Sequence, residues 1–111
     1  MSERLPTALW VDAHLAHLTT TGTFYYFIQK GNTASGLVLL KLNGLKGKVR
    51  VLVQERDFME DKLVWVSAMD KETVEEREAD AYIQRAIARD PDLWALEIED
   101  EDMKNPFEET E

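Results

Sequence analysis

The stretch Asp90-Pro91-Asp92-Leu93-Trp94-Ala95-Leu96-Glu97-Ile98-Glu99-Asp100 decides the fold. Asp90-Pro91 stops the helix before it, because a proline pushes its preceding residue out of the α region and cannot extend the helical hydrogen bonds. From Asp92 the pattern alternates. Trp94, Leu96 and Ile98 fall on one side; Ala95, Glu97 and Glu99 fall on the other. Period two is the mark of a strand with one wet face. A loop rarely carries an indole, and burying a side chain of this class contributes roughly 1.5–3 kcal/mol. Trp94, Leu96 and Ile98 are therefore the predicted structural anchor of a closing strand.

Outward from that strand, the preceding residues supply a sheet to receive it. Lys71 to Arg89 reads as a helix with a stripe of Ala79, Tyr82, Ile83, Ala86 and Ile87. Thr73-Val74-Glu75-Glu76 has the pattern of a capping box, acids crowd the first turns, and Arg85 and Arg89 sit near the end. Four strands come earlier: Phe24–Gln29, Leu37–Leu42, Lys48–Gln54 and Leu63–Ala68. Asn43-Gly44 marks a tight hairpin between the second and third. Glu55 to Lys62 is charged and reads as a loop. Thr7 to Leu18 has Ala8, Val11, Leu15 and Leu18 at helical spacing, fades in Thr19-Thr20-Thr21, and has Gly22 placed as a C-cap. The prediction is an α+β domain over 1–100. It has a mainly antiparallel sheet of about five strands, in the order helix, four-strand meander, helix, final strand, with the helices packed on the sheet. Residues 101–111, mostly acidic or amide, are predicted to be a disordered tail.

With 111 residues the chain makes one domain. It has no cysteine, which removes disulfides, thiol nucleophiles and zinc–thiolate sites. No basic-then-apolar start suggests a signal peptide, and no apolar run approaches the ~20 residues that span a bilayer. A cytoplasmic protein with no membrane association is expected. The net charge of −9 is uneven. Residues 1–56 hold seven Lys/Arg against three acids, and 57–111 hold six against nineteen. Such a chain repels phosphate backbones, so nucleic acid is disfavoured as a partner.

The apolar alternation leaves too much on the second sheet face. If Phe24, Tyr26, Ile28, Val38, Leu40, Leu42, Val49, Val51, Val53, Val64, Val66 and the anchor residues share the core, the other face carries Tyr25, Phe27, Leu37, Leu39, Leu52, Leu63 and Trp65. Lys41, Lys48 and Arg50 dilute it. A solvated face is usually less apolar. Either one helix covers each face, or both cover one and the other is an interface. The second alternative makes Tyr25, Phe27, Leu37, Leu39, Lys41, Lys48, Arg50 and Trp65 a candidate interaction surface and the protein a homodimer or docking module.

Chemistry-bearing motifs are sparse. His14 and His17 are three apart on the first helix, but two imidazoles without a third ligand make a poor metal site. Gly31-Asn32-Thr33-Ala34-Ser35-Gly36 has the glycine spacing of a phosphate loop. It lacks the lysine and the following helix on which that mechanism depends, and reads as a hairpin loop. Glu97, Glu99, Asp100, Glu101 and Asp102 offer oxygen ligands without the spacing of a calcium loop. They read as a solvated acidic edge that discourages strand pairing. No Ser-His-Asp or Cys-His arrangement supports nucleophilic catalysis. No catalytic residue, cofactor or metal ligand is assigned.

Leu9-Trp10-Val11, Lys30-Gly31 with Ser35-Gly36-Leu37-Val38, Asp90-Pro91-Asp92-Leu93-Trp94 and Glu97-Ile98-Glu99-Asp100 together resemble a family of short bacterial proteins known only as a domain of unknown function. The resemblance spans Leu9 to Asp100. The family pattern has arginines late in the first helix, where this chain has His14 and His17. The resemblance implies a stand-alone α+β domain and no particular reaction or cofactor. The preferred expectation is a small cytoplasmic binding or adaptor domain acting through protein–protein contacts and self-associating. One alternative is a small-molecule or nucleotide-binding enzyme-like domain using the Lys30–Gly36 turn or the last carboxylates. Another is a weak RNA binder using Lys41, Lys46, Lys48 and Arg50 with nearby aromatics.

Overall fold

In the computed structural model, which describes residues 6–107, the last strand lies inside the sheet. The elements are α1 (Thr7–Thr21), β1 (Tyr25–Gln29), β2 (Val38–Asn43), β3 (Lys48–Asp57), β4 (Lys62–Ser67), β5 (Val74–Glu75), α2 (Glu76–Arg89) and β6 (Trp94–Glu99). The sheet order is β1-β6-β2-β3-β4, with β5 paired to β3. All pairings are antiparallel except β2 with β6. The α+β class and mainly antiparallel sheet are as the sequence predicts, with six strands counting the two-residue β5.

The expected four-strand meander is a three-strand one, β2–β3–β4. Between β1 and β2 a strand-wide slot is left, and β6 fills it. Tyr25 pairs with Ile98 on one side of β6, while Leu42 pairs with Ile98 on the other. The Gly31–Gly36 segment is therefore a bridge across a slot, not a hairpin. The predicted wet, edge-guarding face of β6 is likewise corrected. Ala95 is fully buried and Glu97 and Glu99 are half-buried, because a central strand has a layer on both sides.

One helix covers each face. Val11, Leu15 and Leu18 of α1 pack on Val38, Leu40, Leu42, Leu52, Trp94, Leu96 and Ile98. Ala79, Ile83 and Ala86 of α2 pack on Leu39, Val49, Val51, Leu93 and Ala95. This arrangement shifts several strands by one face relative to the sequence assignment. Tyr25, Phe27 and Trp65 lie with α1, whereas Val49, Val51, Val53 and Ile28 lie with α2. In a sheet buried on both sides, apolar side chains at odd and even positions carry no label of which helix they meet, and a one-residue slip moves a whole strand's set.

Local chemistry explains the helix ends. α1 runs through Thr21, and the hydroxyls of Thr19, Thr20 and Thr21 donate back to the carbonyls of Leu15, His17 and Leu18, which satisfies them within the helix. Gly22 then takes the left-handed conformation, φ 78°, and its N–H returns to Leu18 and Thr19. The capping box expected at Thr73 does not form. The helix starts at Glu76, and no side chain caps it. Val74 pairs instead with Val49 and is buried in the α2-side core, which a helical start at Lys71 would forbid.

Two charged segments are ordered where loops were expected. β3 continues to Asp57, and Glu55, Arg56 and Asp57 pair with β4 alone as an arm beyond β2. The supposed tail also returns to the molecule. Phe107 is 1% exposed and sits in the α1-side core, with Met103 packed beside it. The described core therefore includes Phe107. One aromatic ring outweighs the acidic composition around it, because it enters a ready-made aromatic cluster. Residues 108–111 of the predicted tail lie outside the described residues.

Candidate functional site

The family-like motifs meet at one joint. The N–H of Asn32 donates to Asp92 O at 3.0 Å, and the Trp94 indole N–H donates to Asn32 O at 2.8 Å. A Cβ on Gly31 or Gly36 would stand 2.1 Å from Asp92 O, so glycine is required for this approach. The loop also caps α1, whose first turn has no capping side chain. Thr33 O and Ala34 O accept from the N–H groups of Ala8 and Thr7, and the Thr7 hydroxyl donates to Gly36 O. The glycine spacing thus serves contact between α1, the loop and the Asp90–Trp94 turn.

Lys41, expected on an open surface, is 3% exposed beneath α2. Its ammonium donates to Asp80 Oδ1 at 2.7 Å and Glu76 Oε2 at 2.8 Å, with Glu97 Oε1 at 3.5 Å. Asn43 Nδ2 donates to the other Glu97 oxygen at 2.8 Å. Burial works to lower the Lys41 pKa, but the hydrogen bonds to Asp80 and Glu76 and the charge of Glu97 outweigh it, and the pKa is raised. A protonated amine with three carboxylates around it has no lone pair to offer a substrate. This cluster docks α2 on the sheet.

The other residues of the expected surface scatter. Leu39 is buried under α2 and Leu37 packs on the same core. Tyr25, Phe27 and Trp65 pack around the α1-side core. Arg50 donates to Met103 O at 3.3 Å. Lys48 is exposed and paired with Glu75 at 2.6 Å, a contact that raises the lysine pKa and lowers the carboxyl. The eight residues do not form one surface, and the basic hairpin presents few free cations. His14 donates Nδ1–H to Trp10 O at 2.9 Å and stacks on Phe107, ring centroids 4.9 Å apart, while His17 points to solvent. Among the described residues no group of three or more His, Cys, Asp or Glu is placed to hold a metal ion.

Exposed apolar groups sit at the margins. Phe24 and Tyr26 are 67% and 51% exposed at the β1 edge. Phe58 and Met59 cap the β3–β4 arm, held by a turn in which Asp57 Oδ1 accepts from the N–H groups of Met59 and Glu60. A shallow apolar hollow of about 300 Å³ lies beside Phe24, lined by Thr19, Gly22, Thr23, Phe24 and Tyr25. Next to Tyr26 on β6 is Glu97, and Glu99 lies beside Phe24. The Tyr26 phenol is pushed above its usual value, chiefly by the charge of Glu99, with burial and Glu97 adding to it. The sequence assignment put Phe24 and Tyr26 in the core, because a run of four aromatic residues and an isoleucine does not reveal which alternate set faces outward. The arm tip did carry a signal: Phe58-Met59 is an apolar pair inside a charged run.

Against known proteins, no curated protein matches the chain. Among solved structures it resembles a DUF1491 family protein from Caulobacter crescentus CB15, by its crystal structure at 30% identity and TM-score 0.81, covering 95% of both chains. The NMR structure of a DUF1491 family protein from the same bacterium gives 29% identity and TM-score 0.79, covering 95% of this chain and 94% of that one. The solution structure of protein Atu0922 from A. tumefaciens shares the fold at 24% identity and TM-score 0.68, with 88% and 87% coverage. No helix among the described residues is long and apolar enough to cross a membrane. With the family's sequence pattern matched over residues 5–108, the chain belongs to DUF1491, a family of proteins of unknown function.

Proposed function

We propose that the protein is a non-catalytic binding domain that works by protein–protein contact at a margin of its sheet. The observation that carries this is Phe24 and Tyr26, two large rings left in solvent just before and within β1, whose outer side pairs with no other described strand. An open edge offers unpaired N–H and C=O groups to an added strand, and exposed side chains beside it can choose that strand. A cytoplasmic setting is part of this reading, on the sequence grounds given above.

The other readings draw less support. An enzyme-like site needs a concave pocket with convergent titrating groups. The hollow beside Phe24 offers only the Tyr25 phenol, and the Lys41 cluster is closed on itself. RNA binding through the basic hairpin loses Lys41 to the interior and Lys48 to Glu75. Self-association was motivated by an uncovered sheet face. With a helix on each face, that motive passes to the open edges.

Photo-crosslinking in the source cell tests the proposal. A benzophenone amino acid at position 24 or 26 is expected to give discrete protein adducts, and one at exposed Ala16 on α1 is not. Equal adduct patterns at all three positions, or none at 24 and 26, would overturn it.

A further inference from the structure

We infer that the partner is an extended segment with lysine or arginine at alternate positions, which adds to the open side of β1 and lays its cations over Phe24 and Tyr26 beside Glu99. This rests on the protein-binding reading above and names the chemistry of the partner. Phe24 O accepts from Glu99 N at 3.0 Å, and Tyr26 is opposite Glu97. Strand alternation therefore turns the N–H and C=O groups of Tyr25 and Phe27 outward. β1 reads Tyr-Tyr-Phe-Ile-Gln, with no charge or proline to deter an incoming strand, whereas the opposite margin, β4, opens on Lys62. A break in register between Phe27 and Gln29 limits the free length, so the segment that fits is short.

The side chains choose the charge. Phe24 and Tyr26 share the α2-side face, and an incoming strand also projects every second residue there. Glu97 and Glu99 lie directly behind them on β6. Glu97 is shared with Lys41 and Asn43, but Glu99 has no ion pair among the described residues. Around Lys41 the carboxylates of Glu76, Asp80 and Glu97 leave an anionic excess, and Glu99 follows Glu97 on the same face of β6. A cation placed there meets two exposed rings and the carboxylate of Glu99, which has the Tyr26 phenol beside it but no cation among the described residues. The chain already makes one such contact on the other face of β1, where Lys30 Nζ stands 4.8 Å from the Phe27 ring centroid. A second copy adding by its own β1, Tyr-Tyr-Phe-Ile-Gln, would bring no cation to these rings, and phosphate backbones are repelled by the same field.

The test uses the full chain and short dye-labelled peptides alternating Arg with Thr, read by fluorescence anisotropy. The Arg peptide is expected to bind and the Glu-for-Arg peptide not to. F24A/Y26A should weaken binding about tenfold, and Glu99→Gln about threefold. Leu9→Ala should leave it unchanged, and thermal melting confirms that each variant folds. Methylating the peptide amides that face β1 should abolish binding, which separates strand addition from simple charge attraction. Undiminished binding to F24A/Y26A, or to the methylated peptide, overturns the inference, as does no binding by the Arg peptide. If a Gln-for-Arg peptide binds equally well with the same dependence on Phe24 and Tyr26, the cationic preference fails while the protein-binding reading stands. If the Arg peptide binds but crosslinking from 24 and 26 yields nothing in cells, that reading fails instead.

Discussion

On the α1 side of the sheet, Val11, Leu15 and Leu18 meet Leu40, Trp94, Leu96 and Ile98, and Trp10, Trp65 and Phe107 close the margin with rings. On the α2 side, Ala79, Ile83 and Ala86 meet Leu39, Val49, Val51 and Ala95, and Lys41 beneath the helix ties α2 down through Glu76 and Asp80. The same sheet is thus closed by bulk on one face and by directed charge on the other. Apolar contact is non-directional, and large side chains can hold a helix without fixing its register. Two carboxylates four residues apart that converge on one ammonium do fix a register, since a shift of one residue carries both away. The difference suggests that α1 is placed by volume and the Thr33–Gly36 carbonyls, whereas α2, without a capping side chain, is placed by Lys41.

The most severe way to break this contrast is Trp94→Ala. The indole is 4% exposed, packs near Phe27, and ties the loop through Asn32 O. A loss of about 4 kcal/mol in chemical denaturation is expected from the cavity and the lost hydrogen bond. A loss under about 1 kcal/mol would mean that β6 is not anchored from the α1 side. Next is Phe107→Ala, at about 3 kcal/mol. Its ring lies 5.2 Å from Trp10 and 4.9 Å from His14, centroid to centroid, and 6.3 Å from Trp65. Truncation after Glu101 should cost as much, with tryptophan fluorescence shifting red as Trp10 and Trp65 become wetter. An unchanged spectrum would return residues 102–107 to the status of a tail.

Much of the α1 side was legible in the sequence. The Val11-Leu15-Leu18 spacing, the Gly22 cap and the Trp94-Leu96-Ile98 alternation each depend on neighbours within one element. What was not legible depends on separation along the chain. Nothing in Leu37–Leu42 announces that its neighbour will be Trp94–Glu99 and not Phe24–Gln29, because a parallel and an antiparallel partner ask for the same apolar residues. Lys41 was read as solvated since its three carboxylates lie at least 35 residues away. Phe107 was lost in an acidic run for the same reason. The Gly31–Gly36 spacing was legible as special, but its cause, close approach to Asp92 O, belongs to a contact across the fold.

The smallest effect sharpens the contrast most. Lys41→Ala leaves Glu97, whose side chain is 18% exposed, with only Asn43, while Glu76 and Asp80 are about half exposed and can rehydrate. Breaking a fully buried pair costs 3–5 kcal/mol, so about 2 kcal/mol is expected here. Lys41→Met keeps the aliphatic stem and should cost less, about 1 kcal/mol. Its pH dependence separates charge from packing. The Lys41 pKa in the folded chain is raised above its ordinary 10.5, because the hydrogen bonds to Asp80 and Glu76 outweigh desolvation. A raised pKa contributes stability that is complete below the unfolded value and is lost as pH climbs through the higher folded one. The gap in melting temperature between wild type and Lys41→Met should therefore hold steady from about pH 7 to 9 and narrow above about pH 10.5. The same comparison for Ile83→Val, an aliphatic contact on that face, should show a gap that does not close with pH. A Lys41→Met gap equally flat at alkaline pH would make the lysine a spacer, and leave α2 positioned by volume, without directed charge.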